Sequence, residues 1–191
     1  MKSDAVPATP AQQWRRWGLL AAVLALVVGA GVLAWERSHP DVAFDYGYGI
    51  GSKRAVGETV WTTLADSQRI GSSAITFTEL EPVIERDGAA VDVEYLVCAL
   101  DEEALAEDGV GSFGYGLRDM AVRRSCTTTS PALGARLVAE PGVRRELLVG
   151  ITATQPGRTV ISGHRAAYDV GWRRGHGDIR VETDLRATPS S

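Results

Sequence analysis

The chain has 191 residues, with 20 basic and 24 acidic side chains and a formal net charge of −4 at pH 7. Three basic residues and one acidic residue precede position 36, so the remainder carries 17 basic and 23 acidic side chains, a net charge of −6. This balance argues against nucleic acid or anionic lipid as the main partner, because both need a basic face. The remainder is long enough for one domain with its own core.

The first clear pattern is an apolar run near the N-terminus. Residues 1–13, MKSDAVPATPAQQ, lack apolar periodicity and predict a disordered cytoplasmic tail. Residues 18–35, GLLAAVLALVVGAGVLAW, carry no charge and as a helix span about 27 Å, close to the roughly 30 Å hydrocarbon core of a bilayer. We therefore predict a transmembrane anchor over residues 14–35, with the lipid bilayer as the partner of residues 18–35.

The residues that flank this run predict its depth and orientation. Tryptophan favours the headgroup region, and arginine favours the cytoplasmic side. The predicted membrane-interface residues are Trp14, Arg15, Arg16, Trp17 and Trp35. We expect a single-pass protein of the cell membrane, with a cytoplasmic N-terminus and an extracytoplasmic C-terminal domain.

Two other interpretations of the N-terminal region stay open. The triplet Val32-Leu33-Ala34 resembles a signal-peptide cleavage site, and Arg15-Arg16 resembles the start of a twin-arginine export signal. The run is longer than a usual signal-peptide core, and Trp35 is a typical interface residue. Both features favour an anchor that is retained.

Residues 36–55 contain alternating glycines at positions 47, 49 and 51. No Gly-Lys-Ser/Thr motif follows, so a phosphate-binding loop is not expected. We predict a flexible Gly-rich linker.

The rest of the chain predicts short strands separated by turns. Val91, Val93, Tyr95 and Val97 alternate on one face of a strand, and Asp87-Gly88 before it favours a hairpin turn. Residues 101–117 predict an acidic helix or loop followed by a Gly-rich connection. Gly175-His176-Gly177 predicts a further turn. The other predicted strands cover residues 56–64, 75–85, 133–139, 146–155, 158–170 and 178–185.

This pattern predicts a mainly β fold. After one N-terminal transmembrane helix, we expect an antiparallel immunoglobulin-like β-sandwich over residues 56–186, followed by a frayed C-terminus over residues 187–191.

Cys98 and Cys126 both follow the predicted anchor, where an oxidising compartment permits a disulfide. We predict that they are joined. Two buried free thiols are the alternative, since spacing alone does not place two Cα atoms within reach of a bridge.

The order of these features resembles a group of known sequences. A short basic tail, one anchor, a Val-Gly-Glu triplet, a cysteine pair and the block GITATQPGRTVISGHRAAYDVGWRRG resemble uncharacterised actinobacterial single-pass membrane-anchored proteins with an exported β-sandwich domain. The resemblance implies location and fold, and it implies no activity.

The residues that usually carry chemistry show no recognised arrangement. His39, His164 and His176 lack the spacing of C-x2-C, H-x3-H or H-E-x-x-H metal sites. No G-x-S-x-G nucleophile elbow is present, and the carboxylates of residues 101–108 fit a solvated face better than catalysis or calcium binding. We predict no catalytic residue, no cofactor and no metal.

These observations favour a non-enzymatic, membrane-anchored extracytoplasmic module that binds a protein or cell-wall partner through its loops or an edge strand. The alternative is a small-ligand or metal carrier of the cell envelope. Its candidate ligand residues are His164, His176, Arg173 and Arg174.

Overall fold

The computed structural model describes residues 10–40, 42, 44, 47–70, 74–101, 115–117, 122 and 124–190. Within these ranges the chain forms the helix α1 (Pro10–Ser38) and eleven strands, and residues 122, 124 and 125 are also helical. The strands are β1 (Tyr48–Ala55), β2 (Thr59–Asp66), β3 (Ile75–Asp87), β4 (Val91–Leu100), β5 (Tyr115–Leu117), β6 (Cys126–Pro131), β7 (Arg136–Leu137), β8 (Arg145–Ala153), β9 (Gly157–Val170), β10 (Arg173–Ile179) and β11 (Val181–Thr188).

Helix α1 contains the predicted apolar run. The 22-residue segment Trp17–Ser38 contains an 18-residue window that has a mean hydropathy of 2.4 and is not buried against the rest of the chain, so its length and composition suit a membrane span or a signal sequence. The helix begins at Pro10, so the prediction of a disordered tail over residues 1–13 is wrong for its last four residues. Proline suits the first helical turn, where its missing N–H would be unpaired anyway. Residues 1–9 lie outside the described residues.

The strands form two sheets. Sheet A has the order β1-β11-β9-β3-β7, with β10 also paired to β9, and sheet B has the order β5-β2-β8-β4-β6. The mainly β prediction is confirmed. The predicted antiparallel pairing is wrong at one edge, because β1 runs parallel to β11.

A single hydrophobic cluster fills the space between the sheets. The predicted inner face of β4 is confirmed, since Val91, Val93, Tyr95 and Val97 all belong to this cluster or pack against it. A second, smaller cluster lies on the outer face of sheet B, because its strand residues alternate with the inner residues along β2, β4 and β8. It contains Trp61, Cys98, Leu100, Val122 and Leu148.

The prediction of a hairpin at Asp87-Gly88 is wrong. Strand β3 belongs to sheet A and β4 to sheet B, so this turn carries the chain from one sheet to the other. Gly88 is needed there because a Cβ atom would lie 2.7 Å from the carbonyl oxygen of Arg158. The connection from β8 to β9, which also passes between the sheets, packs against this turn, since the Gln155 N–H donates to the Ala89 carbonyl over 3.1 Å.

The prediction of a flexible linker over residues 36–55 is also wrong. Ile50 is buried and Gly49 and Gly51 are exposed, so the alternating glycines mark the outer side of strand β1. Phe44 is buried before it, with its ring 5.2 Å from that of Tyr168 in an edge-to-face arrangement. The domain therefore includes residues before position 56.

The predicted ends of two other features change as well. Strand β11 continues to Thr188 and Ala187 is buried, so the predicted frayed end at residues 187–191 begins too early. Gly175 and Gly177 lie within β10, and the turn falls at Gly171, whose φ is 61°. A Cβ atom at Gly175 would lie 2.7 Å from the Tyr168 ring, so glycine makes room for the core.

Candidate functional site

The surface of α1 is apolar and exposed. Trp14, Trp17 and Trp35, three of the predicted membrane-interface residues, lie on this helix with exposed side chains. Arg15 and Arg16 are in the same helix, and their side chains lie outside the described residues. An uncovered apolar helix of this length is compatible with a membrane anchor or a signal sequence, because contiguous apolar patches of this size are rare on soluble proteins.

The end of α1 is closed by local contacts. The Ser38 hydroxyl donates to the Ala34 carbonyl over 2.9 Å, and the His39 ring stacks on Trp35 with 3.9 Å between centroids. His39 therefore has a structural role at the end of the helix.

The four candidate ligand residues of the carrier hypothesis are not brought together. His164 is fully buried between the sheets, whereas His176 is exposed on the outer face of sheet A. His176 lines an open groove of about 360 Å³ with Glu79, Glu81, Arg165 and Asp178. At the start of β10, Arg174 pairs with Asp169 over 3.1 Å, next to Arg173. Among the described residues, no three His, Cys, Asp or Glu side chains are placed to hold a metal ion.

His164 joins the two sheets. Its Nδ1 lies 3.0 Å from the Tyr95 hydroxyl of sheet B, and its Nε2 has no hydrogen-bond partner among the described residues. Burial lowers the pKa of His164 to about 4, so the ring is neutral at pH 7. Burial, with a smaller contribution from Glu81, raises the pKa of Tyr95. This pair is a neutral polar link within the core.

The predicted disulfide is confirmed. Cys98 and Cys126 are bonded, with 5.5 Å between their Cα atoms. They lie on β4 and β6, two neighbouring strands of sheet B, and Cys98 packs beside Trp61 on the outer face. The bridge closes a loop that contains residues 101–117, and most of that segment lies outside the described residues.

An ionic cluster on the outer face of sheet B was not predicted. The Arg144 guanidinium lies 2.6 Å from Asp66 and 3.1 Å from Glu146, and the Thr63 hydroxyl donates to Glu146 over 2.6 Å. Glu146 is fully buried. The pairing joins residues 78 positions apart, so local sequence patterns do not reveal it. Each charge is held by its neighbours, which fits a structural role.

Strand β6 forms an exposed edge of sheet B. It pairs with β4 on one side, its residues from Thr127 to Pro131 are exposed, and none of its six residues is charged. The other described strands with an open edge differ from it. β1 carries Lys53 and Arg54, and β10 carries Arg173, Arg174 and Asp178. β3, which pairs with β7 only at Ile75 and Thr76, carries Glu79, Glu81 and Glu85 along the rest of that edge, and β5 and β7 have three and two residues.

The hydrogen-bond pattern of β6 shows which groups face outward. The Ala132 N–H donates to the Tyr95 carbonyl over 3.0 Å, and residues along an antiparallel ladder alternate between bonded and non-bonded pairs. Ala132 and Tyr95 form a bonded pair, so every second pair before it, including that of Ser130 with Val97, is also bonded. The pair of Thr129 with Cys98 lies between bonded pairs and is therefore non-bonded. The N–H and C=O of Thr129 therefore point away from the sheet, as does the C=O of Pro131. A groove of about 330 Å³ lies alongside, lined by Trp61, Leu96 and the β6 threonines.

These features define the chain as a two-sheet β domain that follows an apolar N-terminal helix. Comparison with protein-family models, curated proteins and solved structures gives no match.

Proposed function

We propose that this chain is a single-pass membrane protein whose helix α1 holds the β domain on the outer side of the cell membrane. The observation that carries the proposal is the uncovered apolar run of residues 18–35 in α1. The disulfide supports an oxidising compartment for the domain. Arg15 and Arg16, before the apolar run, favour a cytoplasmic N-terminus.

The role of the domain is to bind a protein partner, without catalysis, through the β6 edge. An uncharged edge strand offers unpaired backbone groups to an extended polypeptide, which adds to the sheet as a further strand. The adjacent groove offers Leu96 and the β6 threonines to side chains of that polypeptide. A wall component that carries peptide chains would use the same edge.

The domain is a variant of the immunoglobulin-like sandwich, in keeping with the resemblance to exported actinobacterial proteins. The support for this assignment is the single core between a mixed and an antiparallel sheet. One difference is that the disulfide joins neighbouring strands of one sheet, whereas an antibody domain bridges its two sheets.

Fractionation of cells tests the anchoring. Membranes washed with carbonate are expected to retain the full-length chain, and protease added to spheroplasts is expected to remove a C-terminal tag. A released form that begins close to Trp35 would instead identify residues 1–34 as a cleaved signal peptide.

Crosslinking in native membranes tests the edge. A photoreactive side chain at Ser130, on β6, is expected to capture a partner. Thr129→Pro removes the outward N–H and keeps the ladder with β4, so it is expected to abolish the crosslink. Thr129→Val keeps the N–H and is expected to retain it. Equal crosslinking in both variants would contradict binding by strand addition.

A further inference from the structure

The end of α1 and the turn between β9 and β10 lie close together. Helix α1 ends at Ser38, and its C-terminal end lies beside β10. Two residues later, Pro40 packs against β10 at Gly175, where an added Cβ atom would lie 2.5 Å from the proline Cγ. The chain therefore enters the domain directly after the helix, at the first half of β10.

The direction in which the chain enters the domain shows that the β9–β10 turn and the end of α1 lie toward the same end of β10. Pro40 lies beside Gly175, and Phe44 lies beside Gly177, with its ring 3.1 Å from the Cβ position of Gly177, so these two contacts are in the same order as the residues of β10. Traced backward, the chain leads toward the start of β10 and the preceding turn. Trp172 is three residues before Gly175, within about 10 Å along a strand.

The side chains of this turn suit a membrane surface. Trp172 is 56% exposed, although tryptophan usually finds apolar surroundings. Arg173 and Arg174 follow it, and Asp169 pairs with Arg174, so this end of the hairpin has a net charge of +1 in a domain of net charge −6. Glu36 and Arg37 at the end of α1 offset each other. An indole ring favours the headgroup region, and a guanidinium binds phosphate.

We propose that the β9–β10 turn, with Trp172 at its centre, is a second membrane contact, seated in the phospholipid headgroup layer beside the end of α1. This inference rests on the proposed anchoring by α1. Because α1 tethers the turn, its effective concentration at the bilayer is high, and a single tryptophan with one unpaired positive charge is enough for contact. The contact holds the domain in one orientation, with the crossovers near Gly88 and Gly157 facing away from the bilayer.

The test uses the full chain in phosphatidylcholine nanodiscs. Trp14, Trp17 and Trp35 are replaced by Phe, which leaves Trp61, buried on sheet B, and Trp172 as the fluorescent residues. Lipids brominated close to the headgroup are expected to reduce the Trp172 emission roughly twofold, because bromine quenches indole rings at headgroup depth. Adding Trp172→Phe to the same background is expected to leave only unquenched Trp61 emission.

A reporter at the far end of sheet A is the matched control. Ile84 is 39% exposed and lies eight residues along β3 from Thr76, the partner of Asp169, so it is about 26 Å from the turn. Ile84→Trp, placed in the background with Trp172→Phe, is expected to show no quenching. Arg173→Gln with Arg174→Gln is expected to weaken the quenching of Trp172.

The outcomes separate the two proposals. A chain that elutes with the discs while Trp172 stays unquenched would overturn the membrane contact and leave the anchoring in place. Equal quenching at positions 84 and 172 would also overturn it, because the domain would then have no fixed orientation. A chain that elutes apart from the discs would overturn the anchoring, and the membrane contact with it.

Discussion

The outer face of sheet B and the space between the sheets both bury polar side chains, and they do so in different ways. On the outer face, Glu146 is buried next to the Arg144 guanidinium, so charge is matched by charge. Between the sheets, His164 is buried beside the Tyr95 hydroxyl, and it stays neutral because burial lowers its pKa to about 4. The first site is therefore sensitive to loss of a partner, and the second to a change of pH.

The largest expected effect is the loss of Arg144. Arg144→Met leaves Asp66 and Glu146 buried without their counter-ion, which is expected to lower the free energy of unfolding by about 3–5 kcal/mol. Urea unfolding of the full chain in detergent, followed by tryptophan fluorescence, measures it.

The neighbouring arginine is the control. Arg145 pairs with Glu140, whose side chain is 47% exposed, so Arg145→Met is expected to cost less than about 1 kcal/mol. Equal losses for the two variants would show that the buried cluster is no more important than a surface pair.

The second prediction concerns the disulfide on the same outer face. The bridge joins residues 28 positions apart, and the chain-entropy model gives about 3.5 kcal/mol for a loop of this length. Cys98→Ala with Cys126→Ala is expected to lower the stability by that amount in the same urea experiment. The oxidised and reduced wild-type chain should differ similarly, and an unchanged unfolding midpoint on reduction would contradict the prediction.

The third prediction is a loss of stability in mild acid that originates between the sheets. The pKa of His164 is 6.5 in the unfolded chain and about 4 in the folded chain. As the pH falls, His164 therefore takes up a proton in the unfolded chain before it does so in the folded chain. The free energy of unfolding that depends on a neutral His164 is fully present above pH 6.5. It is lost as the pH falls toward 4, and the total loss is about 3 kcal/mol.

Urea unfolding at a series of pH values measures this loss. His164→Gln has no titrating ring and is expected to lack that part of the pH dependence. Parallel pH profiles for the wild type and the variant would contradict a buried neutral histidine.

The smallest expected effect is the loss of the Tyr95 hydroxyl. Tyr95→Phe leaves His164 Nδ1 without its partner at 3.0 Å and is expected to cost about 1–2 kcal/mol at pH 7. The acid-induced loss of stability should persist, because burial of the ring is its cause. A variant that no longer responds to pH would show that the hydroxyl, rather than burial, keeps His164 neutral.

Local patterns in the sequence were sufficient for some elements. The apolar run before residue 36 specifies a helix because its length and composition suit a bilayer, where a helix satisfies its own backbone hydrogen bonds. The alternation from Val91 to Val97 specifies which side of β4 is buried, since strand side chains alternate between two faces. The sequence also predicted the pairing of Cys98 with Cys126 from the presence of two cysteines after the apolar run, and the pairing of β4 with β6 brings their Cα atoms to 5.5 Å.

Tertiary structure decided what depends on distant partners. Asp87-Gly88 has the composition of a hairpin turn, and only the pairing of β3 with β9 and of β4 with β8 makes it a crossover. The glycines of β1 indicate flexibility until β11, more than 120 residues later, provides hydrogen bonds for that strand.

Pairing between distant strands also decided where the candidate site residues lie. The sequence offered His164 and His176 as equals, but the pleat of sheet A directs one into the core and the other to solvent. The contact of Arg144 with Asp66 and Glu146 forms only where β2 and β8 pair. The sequence by itself determined the helix and the buried face of β4, and it is the basis of the compartment that we propose. Which residues meet was decided by strand pairing over long separations, because no local pattern encodes a partner far along the chain.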